Sequence, residues 1–154
     1  MPKISPFLWF DSNAEEAMNY YCSVFPNSRI VSIARYPDES LDEHFKGMSG
    51  KVITGVFELD GDIFQCLDGG PVFKFNEAIS FVVECKDQAE IDYYWEKLSA
   101  VPESEQCGWC KDKFGLSWQI TPANMGELIE GNDKAMQAML KMKKINIKEL
   151  VDAR

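Results

Sequence analysis

The sequence is poor in the residues on which most catalytic sites depend. His44 is its single histidine, and no glycine-rich turn follows the first predicted strand. Imidazole is the side chain best suited to proton transfer near neutral pH, so histidine-based catalytic triads lack a base held in the core. The missing glycine-rich turn argues against a nucleotide-like cofactor bound at a strand-to-helix junction.

Positive charge and long apolar runs are also scarce. The chain has 16 basic and 25 acidic residues, a net charge of −9, whereas nucleic-acid binding calls for a basic surface. The one basic run, KMKK at 141–144, is typical of a solvated helix face. No apolar run has the length of a signal peptide or membrane span. We therefore expect a soluble, cytoplasmic protein without nucleic-acid or membrane partners.

The five cysteines follow no disulfide or zinc pattern. An odd count without an export signal argues against a disulfide framework. Cys107-Gly-Trp-Cys110 has the C-x-x-C spacing but lacks the second pair or the two histidines that zinc requires. We interpret both cysteines as small buried hydrophobic residues, with an exposed reactive thiol as the alternative.

The composition, 45% hydrophobic and 27% charged, predicts one globular domain. In the first half, helical spacing of apolar residues predicts a helix that begins at Ser12 or Asn13 and ends before Pro26. Aromatic and β-branched runs predict the strands, the last two forming a hairpin: 4–10, 28–36, 51–59 and 63–67.

The second half follows a similar order. A strand at 78–85 precedes an amphipathic helix at 87–98, a short strand near 104–110 and a last strand that ends at Pro122. The flanks of the turn at 111–115 can pair with each other. Beyond them, a methionine-rich segment at 132–150 predicts a terminal helix that covers its own sheet or packs on a partner subunit.

Two short segments, GDIFQ (61–65) and GLSWQ (115–119), share the pattern Gly-x-x-aromatic-Gln at a spacing of 54 residues. A shift of 73 also aligns the two predicted helices, and the polar segment 36–50 accounts for the difference between the shifts. Matches in the same order are typical of a duplicated architecture. We therefore predict two βαβββ units, at 4–68 and 78–122, followed by a helical extension at 123–154.

The alternation of side chains along a strand assigns the faces of the last strand in each unit. Phe64 and Cys66 lie on one face and Gln65 on the other. Trp118 shares the apolar face of the second unit, and Gln119 the polar face. If the two sheets form one curved surface, the glutamines face each other across a cup.

This arrangement resembles the vicinal oxygen chelate superfamily, which includes glyoxalase I and the bleomycin resistance proteins. More narrowly, PFLWFDSNAEEAMNYYCSVFPNSRI, GPVFKFNEAISFVVEC and GWCKDKFGLSWQITP resemble the PhnB-like family, which has carried the label 3-demethylubiquinone-9 3-methyltransferase. The resemblance covers about residues 4–122. It implies an α+β domain with a curved mixed sheet and a cup, assembled as a homodimer.

In the superfamily's enzymes, side chains from the first and last strand of each unit hold a divalent metal. The resemblance places Gln65, Ser80 and Gln119 at three such positions, and either Pro6 or Phe7 at the fourth. Neutral amides and a hydroxyl are poor ligands for catalytic zinc or iron. We therefore expect no tight metal site and no cofactor, with weak divalent-metal binding by the two glutamines as the alternative.

The leading functional prediction is non-covalent binding of a small organic ligand by Gln65, Ser80 and Gln119 in an apolar cup. Trp109 is a candidate for stacking on the ligand. His44 lies in a loop that the resemblance places over the mouth of the cup, where it either touches ligand or is exposed. The alternatives are a metal-dependent lyase, isomerase or dioxygenase and, third, the methyltransferase of the family's label.

Overall fold

A computed structural model describes residues 2–154. The chain divides into two compact units, the first up to Lys74 and the second Phe75–Arg154. The strands within the described residues are β1 (Phe7–Phe10), β2 (Arg29–Arg35), β3 (Val52–Leu59), β4 (Asp62–Asp68), β5 (Ser80–Cys85), β6 (Trp109–Lys111) and β7 (Ser117–Pro122). The α-helices are α1 (Ala14–Val24), α2 (Gln88–Leu98), α3 (Met125–Ile129), α4 (Asp133–Leu140) and α5 (Ile147–Ala153). The predicted α+β class is confirmed as two small mixed sheets with helices.

The first unit contains a four-stranded sheet in the order β1-β4-β3-β2. β1 runs parallel to β4, and the remaining neighbours are antiparallel. The predicted hairpin joins β3 to β4 through Asp60 and Gly61, which both have positive φ. Helix α1 packs on β3 and β4 and buries the apolar residues that predicted it, among them Met18 and Tyr21. Segment 36–50 contains only two short 3-10 helices, as its lack of periodicity predicted.

Asp68, at the end of β4, anchors the start of α1. Its carboxylate accepts hydrogen bonds from Ala14 N at 2.8 Å and Val52 N at 3.0 Å, and the residue is 2% exposed. Of the two predicted cap residues, Ser12 and Asn13, the structure places Asn13 at the cap, and it makes no side-chain cap bond. The first N–H of α1 is instead bound by a distant carboxylate that the sequence pattern did not indicate.

The second unit contains a three-stranded sheet in the order β5-β7-β6. β5 runs parallel to β7, and β6 pairs antiparallel with β7 across the predicted turn. The short strand predicted near 104–110 begins only at Trp109, because Pro102–Ser104 forms a 3-10 helix and Gln106 makes one isolated bridge. Helix α2 packs on this sheet, and its own Asp87 side chain accepts from Glu90 N.

The terminal segment predicted as one helix at 132–150 is two helices, α4 and α5. The intervening backbone bonds to the turn before β6: the carbonyls of Met142 and Lys143 accept from Cys107 N and Gly108 N, each at 2.8 Å. Ile145, fully buried, lies close to Gly108. These contacts within the second unit outweigh the helical preference of the sequence, so the segment covers its own unit.

Within residues 2–154, every helix is too short or too polar to cross a membrane.

Candidate functional site

Each unit places its glutamine beside a serine, which in the second unit is the first residue of the parallel strand β5 and in the first unit lies two residues before β1. Gln119 donates through Nε2 to Ser80 Oγ at 3.0 Å, and Gln65 donates to Ser5 Oγ at 3.4 Å. Both glutamines are half-buried. The duplicated Gly-x-x-aromatic-Gln segment therefore builds the same local arrangement twice, an amide joined to a hydroxyl on the polar face of a sheet.

The equivalent of Ser80 in the first unit is Ser5, and not Pro6 or Phe7. Gln119 lies opposite Val82 in β5, and Gln65 lies opposite Phe7 in β1. Val82 therefore corresponds to Phe7, and Ser80, two residues earlier, corresponds to Ser5. The first strands of the two units are related by a shift of 75 residues, whereas the sequence match between the helices gives 73. The predicted positions in the first unit, Pro6 or Phe7, therefore lie one or two residues beyond Ser5. The first unit therefore has a serine hydroxyl at the position where aligning the two halves of the sequence had found no polar side chain.

The second unit also has a cavity of about 370 Å³ at its sheet. Trp109, a predicted ligand-binding residue, lines it, and Ser117 projects from the same face of β7 as Gln119. The lining residues are Glu77, Ser104, Gln106, Trp109, Cys110 and Ser117. Trp109 is the direct cross-strand neighbour of Gln119, so the cavity lies next to the Gln119–Ser80 pair.

Ser117 is the functional candidate that the sequence reasoning missed. It is 1% exposed, and its Oγ has no hydrogen-bond partner among residues 2–154. A buried hydroxyl without a partner is unfavourable and requires an explanation. Because Ser117 precedes Gln119 by two residues, the alternation of side chains along the strand places it on the polar face. Nothing in the sequence showed that it is buried.

Charge at this cavity comes from one ion pair. Lys111 Nζ contacts the Glu77 carboxylate, and this hydrogen bond holds the pKa of Glu77 below its usual range. Glu77 is therefore ionised at neutral pH, and Lys111 compensates its charge. Lysine, arginine and histidine are absent from the described residues that line the cavity.

His44 lies in the first unit, on the 3-10 helix Glu43–Phe45. Its side chain is 94% exposed, and Nδ1 is 2.7 Å from Asp42 Oδ1. Hydrogen bonds from the backbone and side chain of His44 lower the pKa of Asp42. Within its own unit, His44 has the environment of a surface loop residue.

Metal-ligating side chains do not cluster in the part of the chain that the structure describes, since residues 2–154 contain no group of three or more His, Cys, Asp and Glu suited to a metal ion. The five cysteines are free. Burial raises the pKa of the thiols of Cys66, Cys85 and Cys110 to about 12, which suits the predicted role of Cys110 as a small buried hydrophobe. Cys107 is only half-buried, and its sulfur accepts from Gln106 Nε2 at 3.1 Å.

A larger, more open concavity of about 640 Å³ lies between α4 and α5. Four exposed lysines contribute to its lining: Lys134, Lys141, Lys143 and Lys144. None of the predicted site residues lines it. The smaller cavity is the better candidate site because it combines an aromatic side chain with a buried polar atom.

Comparisons with known proteins agree with this fold. The family model described as 3-demethylubiquinone-9 3-methyltransferase matches residues 2–121. The PhnB protein of Bacillus cereus, whose name carries the same description, is 42% identical, with 79% of this chain and 100% of that chain covered and a TM-score of 0.65.

Two more distant structures share the fold alone. The Pseudomonas aeruginosa protein PA1353 is 16% identical, with 79% of this chain and 98% of that chain covered and a TM-score of 0.58. An Arabidopsis thaliana gene product, AT5G48480, is 17% identical, with 78% of this chain and 98% of that chain covered and a TM-score of 0.50. The curated proteins gave no match. On the strength of the family model and the Bacillus cereus relative, the chain belongs to the family described as 3-demethylubiquinone-9 3-methyltransferase.

Proposed function

We propose that the protein binds a small organic molecule non-covalently in the cavity of its second unit, as a PhnB-type member of the vicinal oxygen chelate superfamily. The observation that carries this proposal is Ser117: a buried hydroxyl without a protein partner lines a cavity beside an aromatic side chain. Its desolvation is unfavourable in the free protein, and a bound molecule that completes its hydrogen bond would offset that cost.

The cavity has the character of a ligand site. Its volume of about 370 Å³ lies within the usual range of small-molecule pockets, about 300–1,000 Å³. Trp109 offers an aromatic face, and neighbouring strand positions supply the Gln119–Ser80 pair as a polar anchor. We propose that Gln65 and Ser5 form the corresponding anchor in the first unit.

Ligand-observed NMR with a panel of neutral aromatic and aliphatic molecules of up to about twelve heavy atoms tests the proposal. Saturable binding to the wild type that is lost in Trp109→Ala is the expected result, with Trp95→Ala on α2 as the matched control. If no member of the panel binds, or if both tryptophan variants bind equally well, the cavity is not the site.

A metal-dependent lyase, isomerase or dioxygenase is the second candidate. The observation in its favour is the repeated pair of an amide and a hydroxyl, since amide and hydroxyl oxygens are the kind of ligand that hard cations take. Chelator-treated protein titrated calorimetrically with manganese, nickel and zinc tests it, beside Gln65→Ala/Gln119→Ala. Micromolar binding that the double variant loses would establish metal sites at the glutamines. We expect no such binding.

The methyltransferase function in the family's description is the third candidate. The connection from β1 to α1 is Asp11-Ser12-Asn13 and that from β5 to α2 is Lys86-Asp87, so neither offers a glycine-rich turn to a nucleotide-like cofactor. Calorimetric titration with S-adenosylhomocysteine tests this candidate. Binding tighter than about 100 μM, with a free energy of about −5.5 kcal/mol, would favour it.

We also propose that the protein is a homodimer. Met136 and Leu140 of α4 remain exposed, and they would provide an adaptable apolar surface for a second copy. Light scattering after size-exclusion chromatography tests the assembly. A mass of twice 17.5 kDa is expected, and a single-chain mass at all concentrations would contradict the proposal.

A further inference from the structure

We infer that the molecule bound in the second unit's cavity is a neutral aromatic compound with a hydroxyl or carbonyl oxygen directed at Ser117. This inference rests on the proposed function and specifies its ligand class. It combines three independent features of the cavity: an aromatic wall, a buried hydroxyl and the absence of an uncompensated cation from its described lining.

The aromatic wall is Trp109, which is half-buried and lies on the edge strand β6. An indole ring at the side of a cavity of this size favours stacking of one or two fused rings. A saturated molecule of equal volume would fill the space but would forgo that stacking. The shape and the wall therefore favour a flat ligand.

Ser117 sets the hydrogen-bonding requirement. A hydroxyl both donates and accepts, so a ligand hydroxyl or carbonyl satisfies it and a hydrocarbon does not. The position is fixed by the register of β7, where Ser117 lies between Ser80 of β5 and Lys111 of β6. Because Ser80 already accepts from Gln119, the free polar atom at this point of the sheet is Ser117 Oγ.

Charge at the cavity disfavours an anionic ligand. Glu77 lines the cavity and is ionised, and the neighbouring cation, Lys111, is already paired with it. A carboxylate in the cavity would lie near Glu77 without a free cation, in a chain of net charge −9. A cationic ligand would compete with Lys111 for the same carboxylate. A neutral molecule meets neither penalty.

Three probes of matched shape test the inference: 2-naphthol, 2-methylnaphthalene and 2-naphthoate. Their dissociation constants are measured by ligand-observed NMR at pH 7 for the wild type and Ser117→Ala, with Ser32→Ala, an exposed serine of β2, as the control. Ser117→Cys, of similar volume, provides a second variant. Thermal unfolding shows that each variant is folded.

The expected result is a five- to tenfold fall in the preference for 2-naphthol over 2-methylnaphthalene in Ser117→Ala, with no change in Ser32→Ala. In the wild type, 2-naphthoate binds at least tenfold more weakly than 2-naphthol, and Glu77→Gln narrows that gap. An unchanged preference in Ser117→Ala, or tight binding of 2-naphthoate, overturns the inference while the proposed function stands. If none of the three probes binds the wild type, the inference fails, and the proposed function fails with it only if the wider panel of neutral aromatic and aliphatic molecules also does not bind.

Discussion

The two units of the chain share the geometry of their last strand and differ in how they secure the helix packed on it. In both, a glycine with positive φ precedes the strand, and the strand contains a buried aromatic residue followed by a glutamine. This glutamine bonds a serine at or just before the start of the parallel neighbour. Gly61 has φ +96° and Gly115 has φ +90°. The same short sequence thus specifies the same turn, face and register twice.

The helix termini show the difference. Asp68, the last residue of β4, satisfies the first turn of α1, whereas Pro122 occupies the corresponding position at the end of β7. Helix α2 is instead capped by Asp87 immediately before it. The two units therefore share the register of their parallel strands but differ in the carboxylate that caps the helix, which is distant in sequence in the first unit and local in the second.

The second unit has its own buried carboxylate in the turn before β7. Asp112 is 1% exposed and accepts from Phe114 N, Leu116 N and the indole Nε1 of Trp118. It anchors the turn that positions Ser117 and Gln119. The carboxylate that supports a helix in the first unit is thus matched by one that supports the candidate site in the second.

Removal of these carboxylates has the largest predicted effect on stability. Asp112→Ala is expected to lower the free energy of unfolding by about 3–5 kcal/mol, because three donors lose a charged acceptor, and Asp68→Ala by about 2–3 kcal/mol, because two do. Asp87→Ala, which removes a local cap, is expected to cost about 1 kcal/mol. Urea unfolding measures all three, and a cost for Asp87→Ala equal to that of Asp112→Ala would contradict this account of the two units.

The turn glycines provide an intermediate effect. Gly61→Ala and Gly115→Ala are each expected to cost about 1–2 kcal/mol, because an L-residue is strained at this φ. A Cβ at either position would meet no atom within 4 Å, so the cost arises from the backbone alone. Urea unfolding of the two variants checks the prediction. Costs that differ by more than about 1 kcal/mol would show that the duplicated turns are not equivalent.

The paired glutamines have a smaller effect. Gln119→Ala is expected to lower the unfolding free energy by about 1 kcal/mol and Gln65→Ala by about half as much, since the Ser80 bond is 3.0 Å and the Ser5 bond 3.4 Å. Thermal unfolding of the single variants and of Gln65→Ala/Ser5→Ala measures these values. A larger cost at Gln65 would reverse the expected order.

Much of this architecture could be predicted from the sequence. Seven strands and the helices α1 and α2 were anticipated from residue type and apolar periodicity. The predicted βαβββ order holds in the first unit, whereas the described residues of the second unit form only two strands, β6 and β7, after the helix α2. The register of β1 could not be predicted because the sequence match between the two helices implies a shift of 73 residues, whereas the paired strands require 75. A two-residue slip keeps every side chain on its face, so alternation along the strand cannot detect it.

The candidate site was only partly predictable for a related reason. Gln119 was chosen from the repeated pattern, Ser80 from the resemblance to the superfamily and Trp109 from its residue type, and the structure places them on adjacent strands. Ser117 escaped notice because its importance comes from burial and a missing partner, which are properties of packing. The break between α4 and α5 likewise depends on bonds to Cys107 and Gly108, more than thirty residues away in sequence.

The smallest expected difference is between half-buried and buried cysteines, and counting the thiols that react measures it. Each unit has one half-buried cysteine, Cys22 or Cys107, and the other three are buried with a pKa raised to about 12. At pH 8 a buried thiol whose pKa is raised to about 12 stays protonated and unreactive. In the native protein, two thiols per chain are therefore expected to react with an aromatic disulfide reagent. Cys107 is expected to react before Cys22, because burial raises the pKa of Cys22. Release of all five without denaturant would contradict the packing.

The most direct test of the proposed ligand site is the indole region of the ¹H–¹⁵N spectrum during titration with 2-naphthol. The chain has four tryptophans, and Trp109→Phe identifies the signal of the cavity residue. We predict a saturable shift of the Trp109 signal, reduced by Ser117→Ala at the same subsaturating ligand concentration, with the signals of Trp9 and Trp95 unmoved. A shift of Trp9 or Trp95 while Trp109 stays fixed would contradict the assignment of the cavity as the binding site.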